Sequence, residues 1–134
     1  MTRVLLDTNI LVSVILNSHG IPGQVYRKAV EPQYQILICE QTLEELRRVF
    51  NRKFPNKIPM LERFIATMIP AVEVILVPPD VHADEYEIRD ADDRPILRAA
   101  IKAEVDILVT GDKDFLESSI VNPQILTAAQ FLNV

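Results

Sequence analysis

Hydrophobic and polar positions along the chain follow two rhythms that alternate from one end to the other. Short apolar runs at Met1 to Leu6, Tyr34 to Ile38, Val72 to Val77, Asp106 to Val109 and Gln124 to Leu126 predict buried strands, the last the shortest. Between them, apolar residues recur every three or four positions, the period of a helix with one buried face. Asp7-Thr8 opens such a helix through Ile10, Leu11, Val14 and Ile15. Ser18 to Gly23 then stops it and restarts a second helix with Val25, Tyr26 and Ala29, ending at Glu31-Pro32. Glu40 to Phe50 is a third helix, with Leu43, Leu46, Val49 and Phe50 on its inner stripe, and Met60 to Met68 a fourth. Pro78-Pro79 and the acidic stretch from Asp80 to Asp93 predict an irregular connection or a short helix. Arg94 to Ala103 is helical only if Pro95 lies in its first turn, which puts Asp92 or Asp93 at its N-cap. Asp112 to Glu117 and Thr127 to Phe131 close the pattern as short helical turns.

Strands alternating with helices predict a parallel sheet covered on both faces and joined by right-handed crossovers, an α/β fold. The 134 residues suit one domain, 1–134, with one core. Fourteen basic and 19 acidic residues leave a net charge of −5, which argues against non-specific coating of DNA and leaves phosphate contact to local basic patches. Cys39 is the only cysteine, so neither an intrachain disulfide nor a cysteine zinc site can form, and its place after Ile36-Leu37-Ile38 predicts a buried filler. Asp7 interrupts the first apolar stretch and no run is long enough to span a membrane, so a cytoplasmic protein is expected.

The acidic residues carry the candidate chemistry, because they stand where strands end or helices begin. In parallel sheets that edge holds the ligands. Asp7 directly follows the first strand, where it can cap a helix or face the crevice. Glu45, next to Leu46, borders the inner face of its helix, whereas Glu44 is placed to pair outward with Arg47 or Arg48. In Arg89-Asp90-Ala91-Asp92-Asp93-Arg94, Asp93 adjoins a helix start, and Asp90 is placed to tie down the loop through Arg89 or Arg94. In Thr110-Gly111-Asp112-Lys113-Asp114 a strand runs into a turn that offers two carboxylates, with the Thr110 hydroxyl beside them. Taken singly, each acid suits a cap or a wet surface. Gathered, they form a set of hard oxygen ligands without His or Cys, which favours Mg²⁺ or Mn²⁺ over zinc.

Leu6-Asp7-Thr8-Asn9, Glu45-Leu46, Arg89-Asp90-Ala91-Asp92-Asp93 and Thr110-Gly111-Asp112-Lys113-Asp114-Phe115 together resemble the PIN-domain nucleases, most closely the toxins of toxin-antitoxin systems, over nearly the whole chain. The resemblance implies a three-layer α/β/α sandwich with a central parallel sheet of about five strands. It implies hydrolysis of single-stranded RNA by a metal-activated water. It makes Asp7, Glu45, Asp93 and Asp112 the catalytic acids, with Asp7, Asp93 and Asp112 on the metal, and it makes Asn9, Thr110 and Asp114 auxiliary. For substrate grip, Arg47, Arg48, Arg52, Lys53 and Lys57 form the densest basic run, for which a solvated helix face is the favoured reading, and Arg94, Arg98 and Lys113, nearer the acids, are the expected contacts. An antitoxin and a second copy of the chain are the protein partners it suggests, with Tyr26, Phe50, Phe54 and Phe64 as an apolar contact surface.

Two other functions compete. A phosphoacceptor receiver domain needs a pair of acids after the first strand, and an Asp-x-Asp phosphatase needs an acid where Asn9 stands; neither condition is met. A PIN-like module that has little or no nuclease activity and works by binding a protein or RNA partner is compatible with every motif.

Overall fold

A computed structural model describes residues 1–134. Five parallel strands, β1 (Thr2–Leu6), β2 (Tyr34–Cys39), β3 (Glu73–Ile75), β4 (Ile107–Val109) and β5 (Gln124–Leu126), form one sheet in the order β3-β2-β1-β4-β5. The helices are α1 (Thr8–Leu16), α2 (Ile21–Ala29), α3 (Glu40–Lys53), α4 (Ile58–Met68), α5 (Arg94–Lys102), α6 (Lys113–Leu116) and α7 (Ala128–Leu132). None is long and apolar enough to cross a membrane.

The period-two alternation of the strands divides the core into two. Val4, Leu6, Ile36, Ile38, Ile107 and Val109 point to one face and pack with α1, α2, α3, α4 and α7. Leu5, Leu37, Cys39, Ile75 and Leu108 point to the other, against Ile96, Leu97, Ala99 and Ala100 of α5 and Phe115 of α6. These are the three layers of an α/β/α sandwich, and Cys39 is fully buried in the second core.

Where the elements depart from the sequence pattern, local chemistry accounts for it. Helix α3 runs past Phe50 to Lys53 because no breaker occurs until Pro55, which disfavours helical backbone at the preceding Phe54, and because Arg52 and Lys53 suit the negative end of the helix dipole. Strand β3 keeps only three of six expected residues: the Val77 N–H donates to the Glu40 side chain at 2.7 Å, not to a ladder, and Pro78 and Pro79 have no N–H. The acidic connection folds as two 3₁₀ turns, Ala83–Glu87 and Ala91–Asp93. Phe50 is completely buried, packing on Phe54, and cannot serve the proposed apolar contact surface. Arg47 pairs with Glu62 of α4, not with Glu44.

Arg3, the only charge in β1, is held at the N-terminal edge of the sheet. Its guanidinium donates to Glu73 of β3 and to the Ala103 carbonyl, and its backbone N–H donates to Asp106. Gly23 in α2 lies against the chain turning out of α1, so a Cβ there would overlap the Ser18 carbonyl oxygen. Gly23→Ala is expected to cost about 1–3 kcal/mol, the range for overpacking against backbone that cannot yield, read as a lowered urea midpoint at unchanged m-value.

Candidate active site

The sheet order reverses between β1 and β4. From β1 the chain crosses outward through β2 to β3 and then returns to the other side of β1 as β4. At such a reversal the two crossovers leave in opposite directions and open a crevice at the strand ends. The register aligns those ends: Leu6 pairs with Val109, and the Asp7 N–H donates to the Val109 carbonyl at 3.0 Å. Asp7 and Thr110, 103 positions apart, therefore meet side by side.

Asp7 is 8% exposed. One carboxylate oxygen accepts from the Thr8 N–H at 2.8 Å as the cap of α1, and the other accepts from the Thr110 hydroxyl at 2.6 Å. The cap and the crevice-facing group are thus the same side chain. Thr110 Oγ1 in turn accepts from the Asp112 N–H at 3.0 Å, Asp112 Oδ1 accepts from the Asp114 N–H at 2.9 Å, and Asn9 Oδ1 accepts from the Gly111 N–H at 3.3 Å. Thr110 and Asn9 lock the β4 turn onto the start of α1.

A cleft of about 360 Å³ opens over this point, walled by Asp7, Asn9, Glu45, Asp93 and Asp112 together with Thr8, Val12, Ser13, Val49 and Lys53. Asp93 sits at the N-terminus of α5 with no capping hydrogen bond from its side chain, and its Oδ2 is buried without a partner. Glu45 is half-buried and Glu44 exposed. Gln41, one turn before Glu45, donates to it at 3.4 Å and to the Asp92 carbonyl at 3.0 Å, joining α3 to the Asp93 turn.

The electrostatics are those of crowded acids. Burial pushes the Asp7 carboxyl up to about 6, against the two hydrogen bonds that favour its ionised form, and Glu45 and Asp112 push it the same way. Burial first, and then the close approach and charge of Asp112 with the charges of Asp7 and Asp90, raise Asp93 to about 8. Several carboxylates without a neutralising partner and one buried, unpartnered carboxylate oxygen fit a divalent cation, and an all-oxygen donor set fits a hard one.

Asp114 lies outside the cleft wall. Arg89 holds it at 2.6 Å, and its carboxylate oxygen, with those of Asp90 and Asp93, forms a group within 4.8 Å of one another, so Asp93 adjoins both acidic sets. Asp90 caps the 3₁₀ turn by accepting from the Asp92 N–H at 3.0 Å, and the expected partners Arg89 and Arg94 turn instead to Asp114 and to the Ile88 carbonyl.

Arg94, Arg98 and Lys113 are not brought to the cleft. Arg94 stacks over Tyr86 at 5.2 Å, Arg98 is consumed by Glu85 and the Pro78 carbonyl, and Lys113 is exposed beside Glu87 and Glu117. The cationic residue in the wall is Lys53. Gln41, Glu45, Val49 and Lys53 stand at four-residue intervals, one row of a helix, and that spacing was the available signal for both Gln41 and Lys53.

The profile of the PIN domain family matches residues 3–114 of this chain. An uncharacterized protein of Methanocaldococcus jannaschii, MJ1680, is 28% identical over 123 residues, covering 85% of this chain and 73% of the relative. Among solved structures, a chain of VapBC2 from Rickettsia felis bound to a DNA fragment from its promoter superposes with a TM-score of 0.69 at 21% identity, over 94% of this chain and 98% of the other. DNA-bound VapBC from Salmonella typhimurium gives 0.69 at 19% identity, over 96% and 99%. VapC20 of Mycobacterium tuberculosis, a toxin that cleaves the sarcin-ricin loop, gives 0.66 at 16% identity, over 88% and 96%.

Proposed function

The chain belongs to the PIN domain family, and from that premise we propose that it is a cytoplasmic, divalent-metal-dependent endoribonuclease of single-stranded RNA, one PIN-like domain over 1–134, acting as the toxin of a toxin-antitoxin pair. The likeness in fold to VapC proteins supports the toxin reading and an antitoxin as partner, and a homodimer belongs to the same proposal. The observation that carries the activity is the gathering of Asp7, Glu45, Asp93 and Asp112 around one cleft at the sheet's reversal point.

In this reading Asp7, Asp93 and Asp112 hold Mg²⁺ or Mn²⁺, with Glu45 contributing directly or through water. The bound ion supplies Lewis acidity and a more acidic water for attack on phosphorus. The protein's own part is orientation: Thr110 fixes Asp7, the Asn9–Gly111 bond fixes the turn that presents Asp112, and Gln41 fixes Glu45. Asp114, tied to Arg89 and following Asp112 at the start of α6, acts as an auxiliary acid.

Two measurements test the reading. The purified protein is expected to cleave a single-stranded RNA in Mg²⁺ or Mn²⁺ and to stop on addition of EDTA; metal-independent cleavage or none would sink it. Mn²⁺ at a hundredfold excess over Kd should add about 2.7 kcal/mol of stability, seen as a raised Tm, and Asp93→Asn should remove most of that rise. A wild-type Tm indifferent to Mn²⁺ would favour the partner-binding module instead.

A further inference from the structure

We propose that Lys53 grips a backbone phosphate of the substrate a few nucleotides from the scissile one, and so sets where along a polyanionic strand the acids act; this rests on the ribonuclease reading above. Lys53 is the cationic side chain in the wall of a cleft otherwise lined by four carboxylates and by neutral residues. A negatively charged strand entering a protein of net charge −5 is repelled by those acids. It needs a cation at the cleft that is free to meet it.

Lys53 is free in that sense. It is exposed and forms neither a hydrogen bond nor an ion pair, whereas Arg47 is held by Glu62, Arg89 by Asp114 and Arg98 by Glu85. Nor does it neutralise the acids, since no carboxylate oxygen lies within ion-pair distance of its ammonium. Its place follows from the helix. Lys53 lies two four-residue steps beyond Glu45 on the same row of α3, about 12 Å along the axis at about 1.5 Å per residue. At a stacked spacing of about 3.4 Å per nucleotide that distance is a few nucleotides, so the ammonium meets a phosphate that far along the strand while Glu45 faces the reaction centre. Exposed Arg52, beside it in the last turn, continues the positive surface outward. A role confined to complementing the dipole at the end of α3 would leave substrate affinity untouched.

The test compares wild type, Lys53→Ala and Lys53→Arg on a short fluorescein-labelled oligouridylate in Mn²⁺. KM and kcat are measured across a salt series, and Kd is measured with the same substitutions in an Asp7→Asn background. Lys53→Ala is expected to raise KM about fivefold to tenfold with kcat within about twofold, the loss of one charge-assisted contact. The slope of log Kd against log salt should become shallower by about 0.7, one phosphate fewer on a single strand. Lys53→Arg should restore both. A Lys53→Ala protein with wild-type KM, Kd and salt slope overturns the proposal. Binding in the Asp7→Asn background needs no turnover, so absence of cleavage by the unaltered protein would count against the ribonuclease reading and not against the role of Lys53.

Discussion

Asp7→Asn is expected to abolish RNA cleavage, by about a thousandfold or more, while leaving the metal-free protein at least as stable as before. The first half follows from the position of Asp7, whose carboxylate lines the cleft with Glu45, Asp93 and Asp112 and would be a ligand of the cation that supplies the chemistry. The second follows from its ionisation. Folding raises this carboxyl from 3.8 to about 6, so the native state favours the neutral form. The cost of holding the charge is absent below about pH 4, grows as pH rises and is complete above about pH 6; two pKa units correspond to roughly 3 kcal/mol. Asn carries no charge to desolvate. Its carbonyl oxygen can still accept from the Thr8 N–H, and its amide can donate to Thr110 Oγ1, whose second lone pair is open. Thermal melts in EDTA at about pH 8 should show an unchanged or higher Tm. Retained cleavage in a preparation free of contaminating nuclease would remove Asp7 from the site.

Arg98→Ala should give the largest loss of stability among the charged positions, lowering Tm by on the order of 10 °C at neutral pH. Glu85 is only 3% exposed, and both of its oxygens are held by the Arg98 fork at 2.9 Å, with the His82 N–H as a third donor. Arg98 also donates to the Pro78 carbonyl, so one side chain ties the whole connection between β3 and α5 to the helix that presents Asp93. Removing it strands a buried carboxylate. The hydrogen bonds from Arg98 hold Glu85 below its ordinary range. The pair's contribution is therefore present above about pH 4.3 and is lost as pH falls through the lowered value. The Tm difference between wild type and variant should accordingly shrink below about pH 4. A difference that does not change with pH, or a variant as stable as wild type, would contradict the assignment. Glu85→Leu combined with Arg98→Met should recover part of the loss, since it leaves no charge unpaired.

The periodic pattern was enough to place every strand and the main helices, because burial on one or both faces is a local, repeating demand on side-chain type. It erred where the deciding contact came from elsewhere. Strand β3 was overread because Val77 looks like strand until Glu40 claims its N–H, and α3 was underread because its last turn carries no apolar residue. The acids followed the same division. Asp7 and Asp112 stand out in the sequence because carboxylates just past buried runs are otherwise costly, Asp93 because it adjoins a helix start, and Glu45 because Leu46 fixes the phase of its helix. Among the basic residues, the one that reaches the cleft did not stand out from the run that contains it. Lysine and arginine are long, solvated and usually exposed, so proximity in sequence drew Arg94, Arg98 and Lys113 toward the site, and the fold gave two of them other partners.

By itself the sequence determined the alternation of strands and helices, the two-sided burial of the sheet and the identity of the candidate acids. All of these are written in residues within a turn or a strand of one another. Only the tertiary structure decided the order β3-β2-β1-β4-β5, the register that sets Thr110 against Asp7, the pairing of Glu85 with Arg98 and the arrival of Lys53 at the cleft. Each of these depends on which distant segments approach each other, and that is settled by the packing of the whole core rather than by any local preference.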